Sequence, residues 1–394
     1  MPTHTPQQLS VTWSQVAAFR LARHHLSART PKKRLLSVLR DMGGAQAQLL
    51  SAAQLSLWTR VQDLESTDIG QAMSRRTLVK AACMRRTLFL VPSRDLAVFV
   101  RGTAGRAEKE IRWARGKGVP DRVLDATIEA SLGVLDEPLT RSEIAERVSR
   151  KLGVQIQSFH GGGWGNRRKL AAVPVGDLTY PVVELLHLVA ARGVVCYGPS
   201  RGNEPTFVRA DAWIPKWQEI SREEAEDLLL RWYLRAFGPA TVADFSLWTG
   251  NTLSNAREIW ARGQADLATV NVEGWEASVL KKDLVELAQA RLEGSRVRLL
   301  PYFDSYLLGH KEREHLAPTE HRPNIYRPQG WIAPVVLADG RAVAVWEFTR
   351  EGNRLRLNVT KFESLSRRIE GGIREEAQDL CHFLGTEKVD IEFN

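Results

Sequence analysis

Two seven-residue stretches of this chain align without a gap and limit the folds it can adopt. They are residues 138–144 (PLTRSEI) and residues 239–245 (PATVADF). Thr140 and Thr241 are each followed, three positions later, by an acidic residue, which is the pattern of a capping box at a helix N-terminus. The two stretches therefore predict helices that begin at equivalent places in a repeated unit. Because capping boxes are common, a chance likeness is the alternative.

The repeated unit has the pattern of a winged helix, in which three helices precede two short strands. It occurs at residues 10–95, 121–210 and 221–295, although the first copy has the threonine motif only in a weak form. From residue 296 the chain becomes rich in strand-forming residues, and a last helix is predicted at 374–384. We therefore expect an α+β protein with three tandem winged-helix units and a C-terminal β-rich region, 296–394.

Individual elements follow from the local patterns. In the first unit, a helix is expected to carry Gln48 and to precede hairpin strands at 78–84 and 87–91. In the second unit, a helix at 180–192 is expected to precede two wing strands, at 194–198 and 206–209. In the C-terminal region, strands are predicted at 297–300, 331–337, 341–348 and 355–359.

Positive charge is concentrated in the first half of the chain. The whole chain has 55 Lys and Arg against 46 Asp and Glu, a net charge of +9. Residues 1–200 hold 29 basic and 16 acidic residues, a net +13, whereas the remainder carries −4. Such asymmetry predicts a surface that binds a polyanion, with nucleic acid as the favoured partner. The alternative is a basic protein without such a partner.

The basic candidates for nucleic-acid contact fall into three groups. One is a pair at the tip of the first hairpin, one is a cluster at the start of a helix, and one ends a glycine-rich stretch that also offers a stacking tryptophan. In that order they are Arg85 and Arg86; Lys32, Lys33 and Arg34; and Trp164, Arg167, Arg168 and Lys169. The alternatives are solvated charges on exposed turns and, for the glycine-rich stretch, a flexible linker.

Several classes of protein are excluded by simple counts. Three widely separated cysteines, Cys83, Cys196 and Cys381, argue against a disulfide framework and a cysteine metal site. His310 and His315 are five residues apart, whereas a helical metal pair needs four, so neither a metal nor a cofactor is expected. No apolar run approaches the ~20 residues of a membrane span and no signal peptide is apparent, so we expect a cytoplasmic protein without a membrane partner.

The stretch Gln46-Ala47-Gln48 follows two glycines and carries a resemblance to a known family. Together with four later stretches, the chain resembles the AlkZ-like family of bacterial DNA glycosylases, also known as winged-helix DNA-binding proteins. The later stretches, in the same order along the chain, are residues 86–92, 237–241, 300–309 and 331–336. In that family a glutamine, an aliphatic residue and a second glutamine form the catalytic motif. Ala47 is small where the family often has a bulkier residue, and Gln48 corresponds to the glutamine branch rather than the aspartate branch.

The resemblance implies a monofunctional DNA glycosylase with Gln46 and Gln48 as its catalytic residues. Such an enzyme would hydrolyse the N-glycosidic bond of an alkylated purine in duplex DNA, including bulky adducts or interstrand crosslinks, and leave an abasic site. Related proteins are often self-resistance factors, and the expected location is the nucleoid. No lysine lies near the motif in the sequence, so lyase chemistry is not indicated.

Two other interpretations stay open at this point. From their spacing alone, Gln46 and Gln48 are ordinary glutamines at the entry of a helix. Winged helices also serve most often in regulators, so a DNA-binding transcription regulator without catalysis is the alternative function.

Overall fold

The computed structural model describes residues 8–161, 168–294 and 296–394. Within these ranges the protein has a mixed α+β fold, and its strands form five sheets of two to five strands. The α+β prediction is therefore confirmed. None of the helices in these ranges has the length and apolar character that crossing a membrane requires.

The first segment contains helices around a three-stranded sheet. Its elements are β1 (Leu9–Val11), α1 (Trp13–Arg23), α2 (Leu35–Asp41), β2 (Ala45–Gln46), α3 (Leu50–Trp58), α4 (Ser66–Ser74), β3 (Leu78–Ala82), β4 (Leu88–Pro92), α5 (Leu96–Arg101) and α6 (Gly105–Gly116). The predicted hairpin is confirmed, since β3 and β4 pair antiparallel with Leu78 opposite Pro92 and Ala82 opposite Leu88.

The prediction that a helix carries Gln48 is wrong. Ala45 and Gln46 form β2 and pair antiparallel with Leu90 and Phe89 of β4, and helix α3 begins only at Leu50. The partner strand lies more than 40 residues away in the sequence. Local residue preferences do not contain such a long-range pairing, and here the tertiary contact overrides them.

The second segment contains two small sheets. Its elements are α7 (Asp121–Leu132), α8 (Arg141–Leu152), β5 (Gln157–Gly161), β6 (Arg168–Val175), β7 (Leu178–Pro181), α9 (Val182–Val189), β8 (Val195–Tyr197), β9 (Phe207–Arg209) and α10 (Ala210–Trp213). The capping box of Thr140 and Glu143 is present at the start of α8, as predicted. The two predicted wing strands are also confirmed, because β8 and β9 pair antiparallel.

The helix predicted at 180–192 begins later and ends earlier than expected. Tyr180 and Pro181 complete β7, where they pair with Val173 and Ala172 of β6. Pro181 has an extended backbone (φ −57°, ψ 145°), and a residue in this conformation can precede a helix but cannot continue it. Strands β5, β6 and β7 had not been predicted at all.

The third segment repeats the arrangement of helices followed by a hairpin. Its elements are α11 (Arg222–Phe237), α12 (Val242–Thr249), α13 (Leu253–Gly263), β10 (Leu267–Val272), β11 (Trp275–Leu280) and α14 (Leu284–Gln289). The predicted capping box is confirmed here too, because the Thr241 side chain accepts a hydrogen bond from the Asp244 backbone N–H while the Asp244 side chain accepts from that of Thr241.

A strand of the first segment completes the sheet of the third. β1 pairs in parallel with β10, with Leu9 opposite Val270 and Val11 opposite Val272. Val11, Val270 and Val272 belong to one buried cluster. The first and third segments are therefore joined by backbone hydrogen bonds as well as by side-chain packing.

The C-terminal region forms the largest sheet. Its elements are β12 (Val297–Leu300), α15 (Arg322–Ile325), β13 (Val335–Ala338), β14 (Arg341–Glu351), β15 (Arg354–Lys361), α16 (Arg367–Leu384) and β16 (Lys388–Phe393). The strands are ordered β12-β13-β14-β15-β16, which confirms the β-rich prediction. β16, which was not predicted, pairs in parallel with β15 after the α16 crossover.

The first segment and the C-terminal region share one hydrophobic core. Leu57 and Trp58 of α3 are buried in the same cluster as Leu299 of β12 and Leu380 of α16. The ring of Trp58 also lies 6.1 Å from that of Phe383. Helix α3, which follows the two glutamines, is therefore anchored on the C-terminal sheet.

Replacing Gly309 by alanine is expected to lower the free energy of unfolding by about 1–3 kcal/mol, because the added methyl group overpacks a filled core. A Cβ at this position would overlap the buried ring of Phe237. The control is Gly371→Ala in α16, where a Cβ meets nothing within 4 Å. Because Gly371 lies inside a helix, its replacement by alanine should raise the free energy of unfolding by about 0.5–1 kcal/mol. Urea denaturation of both variants tests the contrast, and equal midpoints would contradict it.

Candidate active site

Two consecutive glycines place the glutamine pair. Gly43 and Gly44 have φ values of +74° and +83°, a conformation that residues with a Cβ rarely adopt. A Cβ on Gly43 would also lie 2.9 Å from Cζ2 of Trp248 in α12. The Ser305 hydroxyl donates a hydrogen bond of 2.5 Å to the carbonyl oxygen of Gly44. The chain therefore turns from α2 into β2 through a constrained path. Residues of the first segment, the third segment and the C-terminal region together define this path.

Gln46 is buried, and its amide is held by an arginine. The side chain is 7% exposed. Nη2 of Arg85 donates to Oε1 of Gln46 at 3.2 Å, and Nη1 of the same guanidinium donates to the carbonyl oxygen of Trp248 at 2.7 Å. Arg85 reaches both partners from the hairpin turn, where its φ is +54°. The arginine thus fixes which way the Gln46 amide faces.

Gln48 is exposed, and its amide extends the pairing of β2 with β4. The backbone N–H of Ala47 donates to the carbonyl oxygen of Leu88 at 2.6 Å. The N–H of Leu88 in turn donates to Oε1 of Gln48 at 3.1 Å, so the side-chain oxygen stands where a strand carbonyl would be. Both glutamine oxygens are therefore oriented by the same hairpin. Each amide oxygen has a second lone pair, with which it can accept a hydrogen bond from water.

Arg86, next to Arg85, belongs to a charged cluster on the other side of the hairpin. Its guanidinium forms an ion pair with Glu110 of α6 and lies 3.8 Å from Oε2 of Glu184 in α9. Burial raises the pKa of Glu110. The hydrogen bond with His187, 3.3 Å from its Nδ1, lowers the pKa of Glu184. These contacts join the first segment to the second.

The same cluster contains three potential metal ligands. Side-chain atoms of Glu110, Glu184 and His187 all lie within 4.8 Å of one another. Two carboxylates and an imidazole can bind a divalent cation. Here the guanidinium of Arg86 already supplies positive charge to the carboxylates. The sequence contained only a weak signal for this group, the i, i+3 spacing of Glu184 and His187, since Glu110 is far away in the chain.

A cavity of about 530 Å³ lies beside the cluster. Gln48, Arg86, Glu184 and His187 contribute to its wall. The free cysteines Cys83 and Cys196 line it as well. Burial raises the pKa of the Cys196 thiol to about 12, so this part of the wall is uncharged at neutral pH. Because Gln48 is exposed and also lines the cavity, the cavity reaches the surface at Gln48.

The other predicted contact residues are dispersed. Lys32 forms ion pairs with Asp68 at 2.9 Å and Glu65 at 3.7 Å, whereas Lys33 and Arg34 are exposed. Trp164 and Arg167 lie outside the described residues. Arg168 and Lys169 begin β6, opposite Gly161 and His160 of β5. The structure therefore brings Arg85 to Gln46 and places Arg86 in the cavity wall near Gln48, while the lysine cluster belongs to the opposite end of α2.

Both the sequence and the fold of this chain match known proteins. The family model described as DNA glycosylase AlkZ-like matches residues 39–383. The chain is 32% identical over 393 residues to the interstrand DNA cross-link repair glycosylase of Streptomyces sahachiroi. The alignment covers 97% of this chain and 99% of that protein. The solved structure of the Streptomyces sahachiroi DNA glycosylase AlkZ superimposes with a TM-score of 0.82 and 29% identity, covering 98% of this chain and all of the other.

Proposed function

Because the chain belongs to the AlkZ-like DNA glycosylase family, we propose that it is a monofunctional DNA glycosylase that removes alkylated purines from duplex DNA. The observation that carries the proposal is the pair of amides, Gln46 and Gln48, held in fixed orientations by donors of one hairpin. The abasic product would be left to other enzymes. The name of the Streptomyces sahachiroi relative makes interstrand crosslinks a candidate substrate.

An amide pair suits this reaction because the leaving group needs little help. An N3- or N7-alkylated purine is already cationic, and glycosidic cleavage proceeds through an oxocarbenium-like sugar. The free lone pairs of the Gln46 and Gln48 oxygens would accept hydrogen bonds from the attacking water. Their dipoles would also stabilise the developing positive charge. Arg85 and the N–H of Leu88 hold these oxygens before substrate arrives, so little reorganisation is needed.

We further propose that the three helix-and-hairpin segments are winged helices that bind DNA. The support is the net +13 charge of residues 1–200 and the exposure of Lys33 and Arg34. The basic residues of the β5–β6 hairpin, Arg168 and Lys169, would add phosphate contacts. Such binding should weaken steeply as salt increases. It would place the protein at the nucleoid, in the cytoplasm.

The decisive experiment is base release from a duplex oligonucleotide that carries a single 7-methylguanine. Abasic sites are revealed by alkaline cleavage, and spontaneous depurination is subtracted. The Gln46→Ala/Gln48→Ala variant, purified in the same way, controls for contaminating glycosylases. We expect release by the wild type alone. An absence of release from both this duplex and interstrand-crosslinked DNA would reject the glycosylase and favour a DNA-binding regulator, which should instead discriminate between DNA sequences.

Replacing Arg85 by alanine is expected to lower the single-turnover rate of base release by up to about 100-fold, because a displaced catalytic group loses its alignment. Affinity for intact duplex should change little, since the Arg85 guanidinium is directed at Gln46 and Trp248. Arg85→Lys keeps the charge but not the two-armed geometry, so its rate of base release should lie between those of the wild type and Arg85→Ala. Arg122→Ala, at an exposed arginine, is the control. A parallel loss of rate and DNA affinity would mean that Arg85 contacts phosphate instead.

A further inference from the structure

Two large apolar side chains are exposed directly after the glutamine pair. Leu49 and Leu50, which follow Gln48 in the chain, are 38% and 39% exposed. Single exposed leucines are common on protein surfaces and need no explanation. These two are consecutive, however, and they lie where β2 gives way to α3, beside an amide that is itself exposed. A substrate that reaches Gln48 therefore has to pass over both leucines.

The backbone that carries the two leucines is held on both sides. Upstream, the N–H of Ala47 donates to the carbonyl oxygen of Leu88 at 2.6 Å. Downstream, the N–H of Ala53 donates to the carbonyl oxygen of Leu49 at 3.3 Å. Ala47 and Ala53 are both fully buried in the core that the first segment shares with the C-terminal region. The exposed side chains thus stand on a fixed base.

We propose that Leu49 and Leu50 form an apolar wedge that enters the base stack of duplex DNA at the lesion. The inference rests on the proposed glycosylase function and assigns positioning residues to it. Enzymes that act on a base cannot reach their target atom inside a stacked duplex, so the base step has to open before Gln46 and Gln48 can act. An inserted leucine would replace the lost stacking contact and hold the step open. Proteins that kink DNA insert leucine and other apolar side chains between base steps.

The start of α3 suits an approaching phosphate chain. Its first turn, Leu50-Ser51-Ala52, contains no acidic residue, and Leu49 at its N-cap has no side-chain acceptor. The partial positive charge of the helix N-terminus is therefore not offset by its own first turn or cap. An apolar wedge beside positive potential is complementary to a nucleic acid, whose bases are apolar on their faces and whose backbone is anionic.

Opening of the base step can be measured without turnover. The probe is a duplex with 2′-deoxy-2′-fluoro-7-methylguanosine, whose fluorine disfavours the oxocarbenium-like state and so prevents release. Its neighbour is 2-aminopurine, which becomes more fluorescent when it unstacks. We expect the wild type to raise the fluorescence at saturation. Leu49→Ala/Leu50→Ala should reduce this increase by about tenfold or more, while its affinity for intact duplex changes by less than about twofold because phosphate contacts supply that affinity.

Two further variants make the result specific to the wedge. Leu49→Met/Leu50→Met keeps long apolar side chains and should retain most of the fluorescence increase. Leu253→Ala/Val285→Ala removes exposed apolar side chains from α13 and α14 and should match the wild type. An unchanged increase in Leu49→Ala/Leu50→Ala, or an equal loss in the control, would overturn the proposal. Loss of affinity for intact duplex in step with the fluorescence would also overturn it, since the leucines would then be a general contact or part of the fold.

Base release separates the wedge from the proposed function. Leu49→Ala/Leu50→Ala should release 7-methylguanine from a pair with cytosine about tenfold or more slowly than the wild type, because the step opens less often. The defect should shrink when the lesion lies opposite a tetrahydrofuran abasic analogue, where unpairing costs nothing. A defect of equal size in both duplexes would contradict the wedge. A fluorescence increase that depends on the leucines, without release by the wild type from either duplex, would support the wedge and reject the proposed glycosylase.

Discussion

The Gln46→Ala/Gln48→Ala protein is expected to release alkylated purines roughly 10²- to 10³-fold more slowly than the wild type, the loss typical when preorganised polar groups are removed from a reaction centre. Both substitutions remove an oxygen that would orient the attacking water. Binding of intact duplex should persist, because DNA affinity comes mainly from phosphate contacts made elsewhere. The measurements are single-turnover rates on a 7-methylguanine duplex and equilibrium binding to the unmodified duplex.

The two single variants should differ in stability. Gln46 is buried and accepts a hydrogen bond from the charged Arg85, so Gln46→Ala loses that bond and should lower the free energy of unfolding by about 1.5–3 kcal/mol. Gln48 is exposed, and water can replace its oxygen at the Leu88 N–H, so Gln48→Ala should unfold at nearly the wild-type denaturant concentration. If both single variants lose activity only in proportion to lost folded protein, the pair has a structural role and the catalytic assignment fails.

Replacing Arg60 by methionine is expected to lower the free energy of unfolding by about 3–5 kcal/mol, because it leaves a buried carboxylate without its countercharge. Arg60 and Asp304 are both fully buried, and their side chains form a two-armed pair with distances of 2.8 Å and 2.7 Å. The Ser56 hydroxyl donates a further hydrogen bond to Asp304 at 2.6 Å. Urea unfolding followed by tryptophan fluorescence measures the loss.

A second substitution distinguishes the unpaired charge from simple loss of packing. Arg60→Met/Asp304→Leu removes both charges and should recover much of the stability, as replacement of buried ion pairs by apolar residues often does. No recovery would mean that the hydrogen bonds around Asp304, including the one its Oδ1 accepts from the Tyr306 N–H, contribute more than the charge balance. Since the neighbouring Ser305 contacts Gly44, the Arg60 variant should also slow base release.

Elements that depend on neighbouring residues were predictable from the sequence. The capping boxes at Thr140 and Thr241 need only residues three positions apart, and both are present. The β3–β4 hairpin and the β8–β9 pair are likewise formed by strands close in the chain. Two of the unpredicted strands have distant partners, since β1 pairs with β10 and β2 with β4. With three and two residues, they are also too short for an alternating pattern. Distance is not the whole reason, because β5, β6 and β7 pair with one another locally and were missed as well.

The candidate site was predictable in its residue types but not in its contacts. The resemblance singled out Gln46 and Gln48, and the charge pattern singled out Arg85 and Arg86, as separate features. The left-handed turn at the two arginines, with φ values of +54° and +61°, directs one guanidinium to Gln46 and the other to Glu110. Such a turn is uncommon for arginine, and from the sequence the pair was predicted to contact phosphate, with solvated side chains as the alternative.

The parallel pairing of β1 with β10 makes the first and third segments parts of one folding unit. Arg85 adds a second link between them through the carbonyl oxygen of Trp248. A chimera that takes only its first segment from a relative would have to form both links with a foreign partner, even if its glutamine motif were intact. Segments of this fold should therefore be inherited, or exchanged by design, as first-and-third pairs together with the C-terminal region, whose core the first segment shares.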